Sequence, residues 1–316
     1  MKQTPLIPAC PAFPFADPLS SHLLQDPLTG EWVIIAPGRR YRPDGHGVGK
    51  SKDPFSPSGL THQKVLAAYG TKGFPVIAIE NSYPVFHEDR ELVGSQEILV
   101  EGAKIQSFSL FTVQQIRAVI DGMAERNRVM RGDPKIRYIV TFKNDGPSGG
   151  ASQPHPHSQI FGLHFVPARI RHIAAQRHLA VKKHRLGAHA LAMREATPAR
   201  TVFADAHAVA YADPTSRYQY GVRISLRRNV DNITKTRSAE RLSLARAIHA
   251  LLPFVRSKGY AYNFFFHDVV GESDECFEIR FSPRVNIWGG FELDSGIVVN
   301  PVPAECAAEE YRAAKK

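Results

Sequence analysis

Residues 150–162 read Gly-Ala-Ser-Gln-Pro-His-Pro-His-Ser-Gln-Ile-Phe-Gly, and this stretch constrains the chain more than any other. In an extended strand, alternate side chains share a face. That rule turns His155, His157 and Gln159 toward one site. The run before it, Asn144-Asp-Gly-Pro-Ser-Gly-Gly-Ala-Ser, is a loop of small residues and backbone donors. Such a loop lets the main chain approach a phosphate closely. A neutral imidazole beside an anion cradle can attack phosphorus and hold the phosphoryl group covalently. In a chain with 14 histidines, a chance His-x-His-x-Gln match is roughly a few-per-cent event. The glycine-rich loop on one side and Ile160-Phe161 on the other weigh against accident, a buried structural pair or half of a metal site.

Length and composition set the frame. The 316 residues suffice for one large domain or two ordinary ones, and 43% hydrophobic content supports a sizeable core. No apolar run reaches the roughly 18 residues of a membrane-spanning helix. Prolines at 5, 8, 11, 14 and 18 break an N-terminus that lacks a signal-peptide pattern, which predicts a cytoplasmic protein. Cys10, Cys276 and Cys306 are scattered and form no Cys-x-x-Cys, which argues against a disulfide scaffold or a cysteine-rich zinc site. Of the net charge of +10, residues 168–198 carry +6: seven Arg or Lys against Glu195. A basic stretch can meet nucleic acid or polyanionic metabolites. Without interleaved aromatics it reads first as a solvated helix face, and nucleic acid is not the expected partner.

Along the chain, residues 1–25 read as an irregular arm. A turn at 26–31 leads to a strand at Trp32–Ala36, and 38–75 reads mostly as loop. Strands follow at Val76–Glu80 and Gln96–Val100, then a helix at Phe111–Arg131 with Ile116, Val119, Ile120, Met123 and Val129 in helical register. Tyr138–Phe142 and His155–Leu163 read as strands around the glycine loop. A helical stretch at Arg169–Arg194, broken at Gly187, comes next. A strand at Tyr220–Leu226, a helix at Ala239–Lys258, and strands at Tyr262–His267 and Cys276–Phe281 complete the order. Tyr138-Ile-Val-Thr-Phe-Lys-Asn-Asp corresponds to Tyr262-Asn-Phe-Phe-Phe-His-Asp, and Phe277-Glu-Ile-Arg-Phe then takes the place of Pro154-His-Pro-His-Ser-Gln. This weak internal repeat predicts an α+β fold, mainly antiparallel, with helices on one side of the sheet.

The His-Pro-His-x-Gln element resembles that of the galactose-1-phosphate uridylyltransferase branch of the histidine-triad superfamily. Asp26-Pro-Leu-Thr-Gly-Glu-Trp through Arg39, Glu80-Asn81-Ser-Tyr-Pro, Phe142-Lys-Asn144 and Gly289-Gly-Phe-Glu292 are similar to its other signatures, in the same order. The resemblance implies tandem histidine-triad-like halves: an arm at 1–25, a first half at 26–198 with the chemistry, and a degenerate second half at 199–316. It implies a homodimer and double-displacement nucleotidyl transfer between a nucleoside diphosphate-sugar or adenylyl donor and a phosphate acceptor. His157 matches the nucleophile and Gln159 the phosphoryl-oxygen ligand. His155 would orient the nucleophile's surroundings, and Ser152 could donate to the leaving phosphate. Gly150 and Ala151 match the phosphate loop. Arg39, Asn81, Phe142 and Asn144 match positions around the nucleotide, and Glu292 a ligand of sugar hydroxyls.

Departures from the family pattern carry information too. Relatives that hold zinc use a Cys-x-x-Cys whose place here is Asp53-Pro-Phe-Ser56, with a distant His whose position falls near Lys104. A second metal site elsewhere uses His-x-His, and Glu278-Ile-Arg280 stands there. No metal and no cofactor is expected. Ser82 replaces the acidic residue after Asn81, and Asn286 and Val298 replace a lysine and a glutamine of galactose-specific members. UDP-glucose:hexose-1-phosphate uridylyl transfer is the leading reading. Adenylyl transfer or phosphorolysis of an ADP-sugar or adenylyl sulfate is the alternative. A non-catalytic nucleotide- or polyanion-binding protein is the alternative of another class, and a hydrolase ranks low because Gln159 stands where hydrolases carry a third histidine.

Overall fold

A computed structural model describes residues 21–37, 53–85, 94–272 and 275–315. In chain order the elements are β1 His22–Gln25, β2 Trp32–Ile35, α1 Pro57–Leu60, β3 Val65–Thr71, β4 Phe74–Glu80, β5 Gly94–Glu101 and α2 Val113–Arg131. Then come β6 Tyr138–Asp145, β7 His157–Leu163, α3 Ala168–His184, α4 Ala188–Arg194, β8 Thr201–Ala204, β9 Ala208–Ala212 and β10 Val222–Leu226. The chain closes with α5 Ser238–Lys258, β11 Tyr262–Val269, β12 Glu278–Pro283, α6 Gly290–Ser295 and α7 Ala304–Ala313. Among the described residues no helix is long and apolar enough to cross a membrane.

Helices α2 and α5 show why one face of the sheet is closed. Thr112 and Gln115 form a capping box that starts α2, and its Ile116, Val119, Ile120 and Met123 fall on one buried stripe. Helix α5 buries Leu244, Ile248, Leu251 and Val255 and stops at Gly259, whose left-handed backbone (φ +67°) closes the last turn. Both stripes enter one core with Val76, Leu99, Phe264 and Phe281 from the strands. Each fully buried Ile or Leu there contributes roughly 1.5–3 kcal/mol, so a charge at Ile248 would break the seam. Between the helices, Asp121 accepts from both Arg117 (2.8 Å) and Arg241 (2.5 Å).

Ten antiparallel strands form the sheet in the order β3-β4-β5-β7-β6-β11-β12-β10-β9-β8, and β1 pairs only with β2. From the central β6–β11 pair the order runs β6-β7-β5-β4-β3 one way and β11-β12-β10-β9-β8 the other. Each half is three strands, a helix and two strands, so the halves are related by a local two-fold between Phe142 and Phe265, which face each other. The alignment of Tyr138 with Tyr262 fails by one residue. Tyr138 packs with Leu163 and Phe161 on the face away from α2 and α5, whereas Tyr262 lies in the core beneath them. A one-residue slip exchanges the two faces of a strand, so an equivalence that keeps faces pairs Phe142 with Phe265. Because Phe142 faces Gln159 and Phe265 faces Arg280, Gln159 then corresponds to Arg280 and His157 to Glu278.

Other expectations need correction. The stretch 38–75 was expected as loop, yet it contains α1 and β3; residues 38–52 lie outside the described residues. Strand β3 is an edge strand that packs only Ala67 and Tyr69 on the core, so its apolar signal is thin. Strands β8 and β9 were not anticipated. Strand β9 is Ala-Val-Ala-Tyr-Ala, buried throughout, and lacks the alternation that marks a half-exposed strand. The basic segment forms α3 and α4 with no fully buried residue.

Candidate active site

On the open face, directly opposed residues form one lateral row: Ile98, Gln159, Phe142, Phe265, Arg280 and Arg223. His157 lies two residues before Gln159 on β7, opposite Val100 and almost fully buried. Its Nδ1 is 2.9 Å from the carbonyl oxygen of His155. A carbonyl only accepts, so Nδ1 carries a proton, and in the neutral ring the lone pair is then on Nε2. That is the atom a phosphorus nucleophile needs. Phe55 packs against both imidazoles, its centroid 5.2 Å from His157 and 6.0 Å from His155. Phe142 meets Phe161 edge-on at 5.1 Å along the same face.

The loop between β6 and β7 is held from two sides. Gly150 has φ +83°, a left-handed backbone that favours glycine, and a Cβ on Gly149 would lie 3.0 Å from the carbonyl oxygen of Tyr262. Asn144 donates weakly to the Gly150 carbonyl at 3.4 Å. Asn263, from the second half, donates to Asn144 Oδ1 (2.8 Å) and to the Gly149 carbonyl (2.6 Å). Asn263 thus fixes both the loop and the side chain beside it. The sequence reading missed this residue, because only the ladder between β6 and β11 sets it opposite Asn144. Ala151 and Ser152 follow in the loop, both partly exposed.

Other predicted residues are placed differently. His155 precedes β7 and is fully buried; its Nδ1 meets Asp53 Oδ2 at 2.8 Å and its Nε2 the Gly102 carbonyl at 3.1 Å. It braces the nucleophile through its own carbonyl, not through its ring. Asn81, at the end of β4, spends its side chain on Gln96 Oε1 (3.3 Å) and the Tyr83 N–H (3.0 Å). Glu292 is half-buried on α6 and caps it by accepting from the Gly289 N–H at 3.1 Å, not by bonding to the His157 loop. Arg39 lies outside the described residues.

Known proteins are similar to this chain in sequence and in fold. The family model described as galactose-1-phosphate uridyl transferase, N-terminal domain, matches residues 76–167, which span β4 to β7 and the glycine loop. The galactose-1-phosphate uridylyltransferase of Thermotoga maritima is 25% identical over 92% of this chain and 97% of its own. The family model and the Thermotoga enzyme together make this chain similar to galactose-1-phosphate uridylyltransferases. It is also similar to the ADP-glucose phosphorylase of Arabidopsis thaliana, 23% identical over 93% of each chain. The fold matches a solved uridylyltransferase with a TM-score of 0.76 at 22% identity, covering 92% of this chain and 98% of that one. It matches the Arabidopsis phosphorylase solved with ADP-glucose with a TM-score of 0.75 at 22% identity, covering 93% and 99%.

Where zinc-holding members of the branch place their metal, the residues present do not fit one. Among the described residues no three His, Cys, Asp or Glu side chains gather to hold an ion. Asp53 instead meets His155 directly, and Ser56 Oγ donates to the Asp53 carbonyl at 2.8 Å and caps α1. Both ring nitrogens of His155 face oxygen atoms, so a direct histidine–aspartate contact occupies the place of metal and ligands. Beneath β7, on the helix side, Lys143 is fully buried and donates to Glu101 (2.6 Å) and to the His157 carbonyl (3.1 Å). Ser158 donates to the other oxygen of Glu101 at 2.5 Å. The peptide that carries the candidate nucleophile is therefore anchored from behind by a closed charge pair.

Proposed function

We propose that this chain is a nucleotidyltransferase that works by double displacement through His157, with UDP-glucose as donor and a hexose 1-phosphate as acceptor. The observation that carries it is the His157 tautomer, set by the His155 carbonyl at 2.9 Å beside a glycine loop shaped for phosphate. His157 Nε2 attacks the donor's α-phosphorus and the bond to the sugar-phosphate oxygen breaks. The sugar phosphate leaves with the bonding electrons, and the nucleotidyl group stays on Nε2. A phosphate oxygen of the acceptor then attacks the same phosphorus and releases the imidazole. The Nδ1–H shares its growing charge with the His155 carbonyl. Loop N–H groups and Gln159 would stabilise the equatorial oxygens. Ser152 would donate to the leaving phosphate, and Phe142, Asn144, Gly150 and Ala151 would line the donor, with Arg39 and Asn81 toward its nucleoside.

The full-length similarity to a uridylyltransferase supports the uridylyl donor. The equally long similarity to an ADP-glucose phosphorylase supports an adenylyl donor as second reading. In this proposal 26–198 carries the chemistry, 199–316 shapes the site, and 1–25 is an arm. The protein acts in sugar metabolism as a cytoplasmic homodimer. Exposed Ile287, Phe291, Leu293, Ile297 and Val299 favour a second copy as cover, and that copy would bring Glu292 to the sugar.

Intact mass spectrometry after mixing with UDP-glucose, ADP-glucose or adenylyl sulfate tests the donor. A uridylyl adduct absent from His157→Ala is the expected result, and an adenylyl adduct moves the chain to the second reading. Tight nucleotide binding with no adduct from any donor would sink covalent transfer.

A further inference from the structure

The second half has its own cavity on the open face, of about 450 Å³. Arg169, Arg217, Arg223 and Arg280 line it, with Thr215 and Trp288. Arg280 is the two-fold mate of Gln159, three strands away in the same row, so the cavity sits roughly 14 Å from Gln159 at ordinary strand spacing.

Its charge is not balanced. Asp213 and Glu278 hold Arg223 (2.7 and 3.4 Å), and Glu278 also holds Arg280 (2.7 Å). His267, also on the wall, faces Glu275 at 3.4 Å, and Glu275 is bound to Arg177 at 2.5 Å. Arg169 and Arg217 have no carboxylate partner among the described residues, and Arg217 Nε is buried without any acceptor. A buried charged donor with no acceptor calls for an explanation, and an entering oxyanion supplies one. Arg217 lies 4.7 Å over the Trp288 ring, Trp288 stacks on Tyr218 at 5.4 Å, and Arg284 lies over Tyr218 at 5.1 Å, so cations flank the aromatic wall.

We propose that this cavity is a second oxyanion site, which binds a phosphate dianion, free or as the monoester of a small sugar, without transferring it. Glu278 stands where the first half has His157, so the site has arginine forks for phosphate and a carboxylate in the place of that imidazole. The site does not depend on the transfer chemistry of His157.

Trp288 reports on it directly. The chain has two tryptophans, so Trp32→Phe leaves Trp288 as the sole emitter. Titrating this full-length variant with inorganic phosphate, and separately with glucose 1-phosphate, should change Trp288 emission saturably. Potassium chloride at matched ionic strength should not. The change should persist with His157→Ala added, and its midpoint should rise at least tenfold with Arg169→Gln or Arg280→Gln. A response only to glucose 1-phosphate makes the ester the ligand, and an equal response to both makes it phosphate itself. Arg169 is exposed, so its variant keeps the test alive if Arg280→Gln does not fold. Equilibrium dialysis should count one phosphate site remaining in His157→Ala/Ser152→Ala. No saturable change up to tens of millimolar, a change untouched by the arginine variants, or one lost with His157→Ala would overturn the proposal.

Discussion

On β7 the open face carries His157 and Gln159; at the related places on β12 it carries Glu278 and Arg280. The strand frame is the same and the chemistry is opposite. In the first half the Nδ1–H of an imidazole donates to a main-chain carbonyl. In the second a carboxylate is locked between two guanidiniums. Burial resists ionisation of Glu278, but Arg280 and Arg223 outweigh it and hold the carboxyl below the usual range. The backs of the halves differ too. Behind His157 lies the Lys143–Glu101 pair, whereas Phe266, the mate of Lys143, sits in an apolar core. A duplicated frame thus keeps its topology while one copy gives up reactivity and retains charge.

The comparison can be broken most directly by removing each mate. His157→Ala should lower turnover with UDP-glucose and galactose 1-phosphate by at least about 10⁴-fold, while Glu278→Gln should keep kcat within about tenfold. Equal losses would mean that both halves do chemistry. Next in size is the anchor. Lys143→Met leaves Glu101 as an uncompensated buried charge and should cost roughly 3–5 kcal/mol in urea unfolding. Adding Glu101→Gln should recover most of that, and a Lys143→Met protein as stable as wild type would remove the anchor from the account. Asn263→Ala should reduce kcat/KM about 10–100-fold with little change in Tm, since a misplaced loop costs orientation. No effect would make the second half a bystander.

The pH response sharpens the contrast. A carboxyl whose folded pKa is depressed stabilises the fold above its unfolded value, and that stability is lost as pH falls through the folded value. Glu278 therefore stabilises the fold at neutral pH, and its share disappears in acid below the ordinary carboxylate range. Unfolding free energy against pH should fall less steeply there for Glu278→Gln than for wild type. The smallest expected effect is that of a chelator: EDTA should leave both Tm and turnover unchanged, and a loss restored by zinc would contradict the Asp53–His155 reading.

What the sequence made legible followed periodicity and local chemistry. The α2 stripe, the helix that became α5, the β6–loop–β7 unit and the break at Gly187 all came from spacing and small residues. The strand β9 did not, because a fully buried Ala-Val-Ala-Tyr-Ala has no alternation to read. The repeat was visible, but its register was not, because Tyr138 and Tyr262 look alike and only their faces distinguish them. His157, Gln159 and the glycine loop were found as motif residues. Asn263, Lys143 and Glu101 were missed because their roles depend on contacts across many residues. At Asp53 the lost cysteine was noted, yet the acid that replaced it faces His155 across 102 positions of chain.

That Asp53–His155 contact has a consequence for how the protein comes into being. A site assembled around a captured ion waits on supply, and its geometry fails when the ion is scarce. Here the brace is made of two residues of the same chain and is complete as soon as the segment around residue 53 docks against the end of β5 and the start of β7. Maturation of the nucleophile is then a folding event rather than a loading event. Newly made chains should be competent at once, in cells starved of zinc as much as in cells replete with it.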